Sequence, residues 1–330
     1  MIGRFRLAAA AMAGVLLAAG CASASGNSGQ TAKPQSAGSA GVTSLTVGTS
    51  PTLSNASLFL ASENGTFAKN KLSVATQVMT SGAQAIPLLL NGQIQFTAAD
   101  PVAAIVAISK NVPLVIVAQG NVVPADPAKD ASGLLVRANS GISTAQDLAG
   151  KTVAVNALGS LAQIGTEQSI DAAGGDASAV KFVELPIPQM VAAIKGGQVN
   201  AATPSEPYVT QGKQAGLKDI MPVLSKSLPG TPMLVYLASK SYVASHPDVV
   251  RAFAASITAA NTTLSTDAAM IRQVGAKSTP ESPAVLAKIV LPTFIASGID
   301  LKAMQTLIDL MVKYKVLQKP VDVATYVKTP

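Results

Sequence analysis

Nucleophilic and metal chemistry need partners that this chain lacks. It carries one histidine, His246, and one cysteine, Cys21. A Cys–His pair, a Ser–His–Asp triad and a histidine-based metal site are each short of a component on those counts. His246 precedes Pro247 at a predicted helix start, a position suited to capping or to the surface. The carboxylates of interest are Asp100 and Glu206, each following a strand-like run. Facing each other they could act as an acid–base pair, so an enzyme stays open as the alternative class.

The other side chains at such turns are hydroxyls, amides and a glycine: Ser50, Asn55, Ser81, Gly82, Asn156, Ser160 and Ser205. Beside helix N-termini with spare N–H groups, they suit the holding of a small polar or anionic ligand. Capping is the competing use for Ser81, Asp100, Ser160 and Ser205. Asn156 and Glu206 have no such obvious structural task. A Glu facing a cleft would favour a cationic or amine-bearing ligand. No arginine falls on these turns, which argues against a clamped sulfonate or nitrate; Arg137 is expected to face solvent near a hinge. We expect binding, with no catalytic residue, cofactor or metal.

A repeat would position these turns. Leu88–Pro101 reads LLLNGQIQFTAADP, and Ala192–Pro207 reads AAIKGGQVNAATPSEP. Both run apolar helix, glycine, short strand, polar turn, proline, aligned on Gly92-Gln93-Ile94 and Gly197-Gln198-Val199. The glycines fit left-handed helix ends, and the alternation Ile94/Phe96/Ala98 and Val199/Ala201/Thr203 fits strands. Ligands of open α/β sheets bind outside the carboxyl ends of the strands. Two such units imply two lobes offering strand ends to one cleft.

The N-terminus bears on compartment. Arg4 and Arg6 precede an apolar run, Leu7–Ala19, that is shorter than the ~20 residues a bilayer span needs. This is the layout of a secretory signal, and LLAAGC resembles a lipobox with Cys21 as lipid acceptor. The Ser/Gly/Ala/Gln-rich stretch from Ala22 to about Val42 cannot bury enough surface to order itself. It reads as a tether reaching on the order of 25 Å. The expected organisation is signal peptide 1–20, lipidated cysteine and tether 21–43, one lobe from 45–132 with 236–330, and the other from 133–235. The net charge of +7 falls to +5 without Arg4 and Arg6. The remaining Lys and Arg are scattered, so nucleic acid is not an expected partner.

In chain order, strands are predicted at 44–49, 72–78, 112–118, 152–155, 180–185 and 233–238, besides the two in the repeat and Gly133–Val136 at the crossing. Helices are expected at 55–64, from about Ala85 to Gly92, from Asp100 as N-cap, and from Pro188. Beyond these come helices at 247–265, 282–296 and 301–314. Ser143 with Gln146, and Ser160 with Gln163, have capping-box spacing. Strands alternating with helices indicate an α/β fold with mostly parallel sheets.

The order GTSPTLSNASLFLASENGTFAKNKLSV, GQIQF, SGISTAQDLAGKTVAV, SEPYVTQGKQAGLKDI and SHPDVVRAFAASI resembles the nitrate/sulfonate/taurine group of ABC-transporter solute-binding proteins. Gln95 and Ser205 stand where that group often has Asp and an aromatic residue. The resemblance implies the two-lobed type II periplasmic-binding-protein fold, with flanked, mostly parallel sheets and two crossing strands at a hinge. It implies a monomeric, membrane-tethered receptor whose partners are a small-molecule solute and the permease subunits. A sensor or enzyme on the same fold, or a receptor for an amine or pyrimidine, is the alternative.

Overall fold

The computed structural model describes residues 41–79 and 82–328. The predicted leader, Cys21, the tether as far as residue 40, and Ser81 lie outside the described residues. From the N-terminal side the elements are β1 (Thr43–Thr49), α1 (Ala56–Glu63), α2 (Thr66–Lys69), β2 (Leu72–Val78), α3 (Gly82–Leu90), β3 (Phe96–Ala99), α4 (Pro101–Ser109) and β4 (Leu114–Gln119). Next come β5 (Gly133–Arg137), β6 (Thr152–Val155), α5 (Leu161–Ala172), β7 (Lys181–Glu184), α6 (Ile187–Lys195), β8 (Ala201–Ala202), α7 (Tyr208–Gln214) and β9 (Leu217–Pro222). The chain closes with β10 (Val235–Ser239), α8 (Lys240–Ser245), α9 (Pro247–Thr266), α10 (Ala268–Ser278), α11 (Pro283–Leu286) and α12 (Leu301–Lys313).

Two five-stranded sheets result, ordered β2-β1-β3-β10-β4 and β7-β6-β8-β5-β9. In each, four strands share one direction and the fifth opposes them: β10 in the first sheet, β5 in the second. Those two strands follow the crossings between sheets, so they enter from the opposite side. The crossings run side by side. Val123 N donates to Thr231 O at 2.8 Å, and Met233 N donates to Asn121 O at 2.9 Å. This is the expected two-lobed α/β fold.

The repeat is real at the level of hydrogen bonds. β3 and β8 each hold the central place of their sheet. Gly92 and Gly197 both adopt left-handed backbone, φ +72° and +74°, which glycine enters without a Cβ penalty. Three residues on, Gln95 and Asn200 do the same work. Gln95 N donates to Thr46 O and its Oε1 accepts from Thr46 N at 2.8 Å. Asn200 N donates to Thr152 O and its Oδ1 accepts from Thr152 N at 2.9 Å. Gln95 is therefore a strand-pairing residue.

Apolar packing fixes the layers. The Phe96 and Phe253 rings stack with centroids 3.9 Å apart, pinning α9 onto the first sheet, with Tyr236 edge-on to Phe253. The α12 face carrying Met304, Leu307, Ile308 and Met311 is fully buried.

Several local expectations need correction. The third helix begins at Gly82, not Ala85, with Pro87 inside it. Pro87 is the sixth of its nine residues, past the first turn, so it withholds a backbone donor in the helix interior. The helix expected over 282–296 is confined to Pro283–Leu286; beyond it the chain carries Pro292, and its Thr293 carbonyl accepts from Val122 N. Helices α2, α8 and α10 and strand β9 are not among the predicted elements. At 143–147 Gln146 does not form the box. Asp147 accepts from the backbone and hydroxyls of Ser143 and Thr144 instead, and these bonds pull its carboxyl down to about 2.

Candidate ligand-binding site

A cavity of about 370 Å³ lies where the end of β3 meets the loop after β6. Asp100 stands on one side of it, Asn156 and Ser160 on the other, with Val106, Leu158 and Val316 among its apolar walls. Three of the sequence-predicted residues thus converge, from strand ends of both sheets.

Each is placed by local structure. Asp100 is the N-cap of α4: its Oδ1 accepts from Val102 N at 2.7 Å and Ala103 N at 3.3 Å, and Pro101 follows at the first helical position. Both capping bonds fall on one oxygen. Desolvation by the surrounding protein pushes the Asp100 carboxyl up, and the two backbone bonds only partly oppose this. Ser160 caps α5, accepting from Gln163 N at 3.4 Å, and donates its own hydroxyl to Asn156 Oδ1 at 3.0 Å. The Asn156 carboxamide nitrogen has no partner among the described hydrogen bonds, and the residue is exposed. Gly159 turns the loop at φ +72°, with its N–H given to Gln163 Oε1 at 2.8 Å.

The remaining candidates sit elsewhere. Asn55 is fully buried, and its Nδ2 reaches Ser50 O at 3.1 Å and Thr52 Oγ1 at 3.3 Å. It fastens the loop after β1 and has no surface to offer a ligand. Ser50 is partly exposed in that loop. Gly82 opens α3; Ser81 lies outside the described residues. Ser205 does not cap α7 as expected, because the N-cap is Pro207 without a side-chain bond. It pairs instead with Ser132 in an isolated bridge.

Glu206 is occupied internally. Its Oε2 accepts from Thr210 N at 3.0 Å, and its Oε1 from Thr210 Oγ1 at 2.8 Å and from Val290 N at 3.2 Å. The carboxylate closes the first turn of α7 and ties it to the segment before β-bridge residue Thr293. It does not line the cavity that holds Asp100. Arg137 also differs from expectation: its Nη1 donates to Ile194 O at 2.7 Å, at the end of α6. His246 is exposed at the start of α9, stacked on Tyr242 with centroids 4.5 Å apart.

Sequence reasoning missed Val316, which lines the cavity, and the buried Glu167, which does not. Glu167 lies one turn beyond Gln163, whose Nε2 donates to its Oε1 at 2.9 Å. Its Oε2 is buried without a partner, and desolvation first, then Asp171, raise its carboxyl against the help of Gln163 and Lys313. The spacing Gln163–Glu167–Asp171 on one helix face was the available signal. Larger grooves exist, two of about 580 Å³ and others of about 470 and 390 Å³, but none of the four is formed by the convergence of strand ends from both sheets. Among the described residues no acidic, His or Cys group could hold a metal. No described helix is long and apolar enough to cross a membrane.

Residues 53–266 match the family described as NMT1/THI5 like. The chain belongs to the NMT1/THI5-like family. No curated protein matches the sequence. Among solved structures, the alkanesulfonate-binding protein SsuA of Xanthomonas axonopodis pv. citri, bound to MOPS, is 22% identical at TM-score 0.70, covering 88% of this chain and all 100% of that one. The periplasmic nitrate-binding protein NrtA of Synechocystis PCC 6803 is 15% identical at TM-score 0.72, covering 87% of this chain and 86% of that one. The desulfurization enzyme DszB shares the fold at 14% identity and TM-score 0.63, over 87% of this chain and 96% of the enzyme. At these identities the likeness establishes the fold, and this NMT1/THI5-like chain has the two-lobed architecture of periplasmic binding proteins.

Proposed function

We propose that this chain is an extracytoplasmic solute receptor of an ABC importer, seating its ligand in the cavity between Asp100 and the Asn156–Ser160 loop. The observation that carries the reading is that convergence: two strand-end loops, one from each sheet, meet at a cavity with hydrogen-bonding capacity left over. Nothing in the arrangement resembles an activated nucleophile. Glu206, the second carboxylate of the acid–base alternative, is spent on Thr210 and Val290.

The wall favours a solute with N–H donors. Its one charged group is the Asp100 carboxylate, and no Lys or Arg lines it. A sulfonate there would lack the charge-assisted donors that hold such groups, whereas an amine or a donor-rich heterocycle would meet Asp100 directly. Thermal-shift screening should separate the two, since ligand raises apparent stability by mass action. Amines and aminopyrimidines are expected to shift the melt, taurine and methanesulfonate to leave it unmoved. Recovery of chemically altered ligand after incubation would point to an enzyme.

The lobes are 45–132 with 236–330, and 133–235, closing by bending at the paired crossings. Lys313 and Tyr314 tie the end of α12 to α5: Lys313 pairs with Asp171 at 2.8 Å and Tyr314 OH donates to it at 2.8 Å. Scattering that shows no compaction at saturating ligand would count against closure. Residues 1–20 act as a lipoprotein leader and Cys21 as the lipidated anchor. Mass spectrometry should find diacylglycerol on Cys21, and Cys21→Ala should release the protein into the medium.

A further inference from the structure

We propose a second binding site, separate from the cleft, for an organic anion with a short apolar tail, in the cavity walled by the start of α10 and residues 289–294. Its volume is about 390 Å³, room for roughly a dozen water-sized units at about 30 Å³ each. Arg272 and Lys129 both line it.

Arg272 is the deciding observation. Its Nη1 is buried with no hydrogen-bond partner, and it joins none of the ion pairs among the described residues. An enclosed guanidinium N–H without an acceptor costs free energy that a bound oxyanion would recover. Arginine presents its donors in a planar fork that matches carboxylate and phosphate oxygens. Lys129 adds an exposed ammonium at the rim.

The cavity also explains the tail. Leu264, Ile271, Ile289 and Phe294 are all at least nine-tenths buried, and each contributes to the lining. The wall is held in place from outside: Val122 N donates to Thr293 O at 2.8 Å, and Val290 N to Glu206 Oε1 at 3.2 Å. Nearby hydroxyls do not compete for the anion's role as acceptor. Ser265 and Thr266 donate theirs to carbonyls of their own helix, and Asp267 accepts from Met270 N. That leaves Arg272, Lys129 and the Thr293 hydroxyl as the side-chain donors, with Arg272 and Lys129 the charged ones. A carboxylate or phosphate on an alkyl chain satisfies both halves of the site, whether it arrives as a free molecule or as a lipid head.

Sodium octanoate, octyl phosphate and inorganic phosphate, titrated separately into the purified protein by calorimetry, test this. One octanoate or octyl phosphate per chain is expected to bind, more tightly than inorganic phosphate. Arg272→Gln should weaken that binding by about tenfold or more while melting no lower than the parent. Lys129→Gln should weaken it less, and Lys319→Gln, which removes the same charge elsewhere, should leave it unchanged. Co-sedimentation with phosphatidylglycerol vesicles that Arg272→Gln abolishes would assign the head to lipid; binding of free octanoate alone would assign it to a soluble anion. Failure of all the alkyl anions to bind, or equal binding by the Arg272→Gln variant, overturns the site.

Discussion

Replacing Glu206 by Ala should unfold the protein more easily without touching the solute. The carboxylate accepts three hydrogen bonds, from Thr210 N, Thr210 Oγ1 and Val290 N. Loss of a helix N-terminal cap costs about 1 kcal/mol, and a hydrogen bond to a charged acceptor contributes about 1.5–3 kcal/mol. Because the residue is partly exposed, water would replace some of this, and the three bonds are not additive. A net loss of about 2–4 kcal/mol is expected, which for a folded part of about 290 residues lowers the melting temperature by roughly 3–7 °C.

Urea denaturation supplies the free energy, and a cycle with Thr210→Val isolates its source. Removing the Thr210 hydroxyl should cost about 1 kcal/mol in the parent and close to nothing once Glu206 is Ala, because the shared bond is already gone. Ligand affinity, measured below the melt, should stay within about threefold of the parent, under 1 kcal/mol. A variant that melts like the parent yet no longer binds solute would refute the assignment and make Glu206 a ligand group.

Three further outcomes follow from single contacts. Asp100→Asn should keep the α4 cap and hence the stability, since Asn caps as well as Asp, but should weaken an amine ligand by about 1.5–3 kcal/mol in titration calorimetry. Burial raises the Glu167 carboxyl, so its stabilising influence is fully present below the ordinary glutamate value and is lost as pH rises through the raised one. Melting curves of Glu167→Gln against the parent should therefore diverge in the variant's favour as pH rises from about 4 to 7, and parallel curves would count against a carboxylate buried with only one of its two oxygens partnered. Gln95→Ala and Asn200→Ala should each cost about 1 kcal/mol in denaturation, similar to one another, because each removes one acceptor for a neighbouring strand N–H.

Much of the fold was legible because its signals are local. Gly92 and Gly197, the Asp100-Pro101 cap and the Ser160 cap are backbone requirements written in single residues, and the structure realises each of them. The elements that escaped depend on tertiary partners. β9 pairs only with β5 at a sheet edge, and its LKDIMP sequence alternates too weakly to announce a strand. The stretch after Leu286 has helical composition, yet its backbone is recruited by Val122 and Glu206. No propensity argument contains those competitors. The site was legible in the same proportion: Asp100, Asn156 and Ser160 stand at strand ends by topology, whereas Val316 reaches the cavity from beyond α12, where sequence distance hides it.

The repeat explains why Asp100 and Glu206 look equivalent in sequence and differ in use. Up to the end of the strand the two copies are interchangeable, with the same glycine and the same amide bridging to the neighbouring strand. After the strand they diverge by how the next helix starts. Asp100 directly precedes a proline at the first helical position, so its short side chain caps with one oxygen and leaves the other without a described hydrogen bond, at a residue that lines the cavity. In the second copy Pro204, Ser205 and Pro207 lengthen the turn, and α7 starts only at Tyr208. The longer Glu206 side chain then has to reach forward to Thr210, and across to Val290, which uses both of its oxygens. One backbone unit used twice thus yields one carboxylate that lines the cavity and one committed to architecture. On the side of the second sheet the cavity is lined by the loop after β6, at Asn156 and Ser160, rather than by the strand of the repeat.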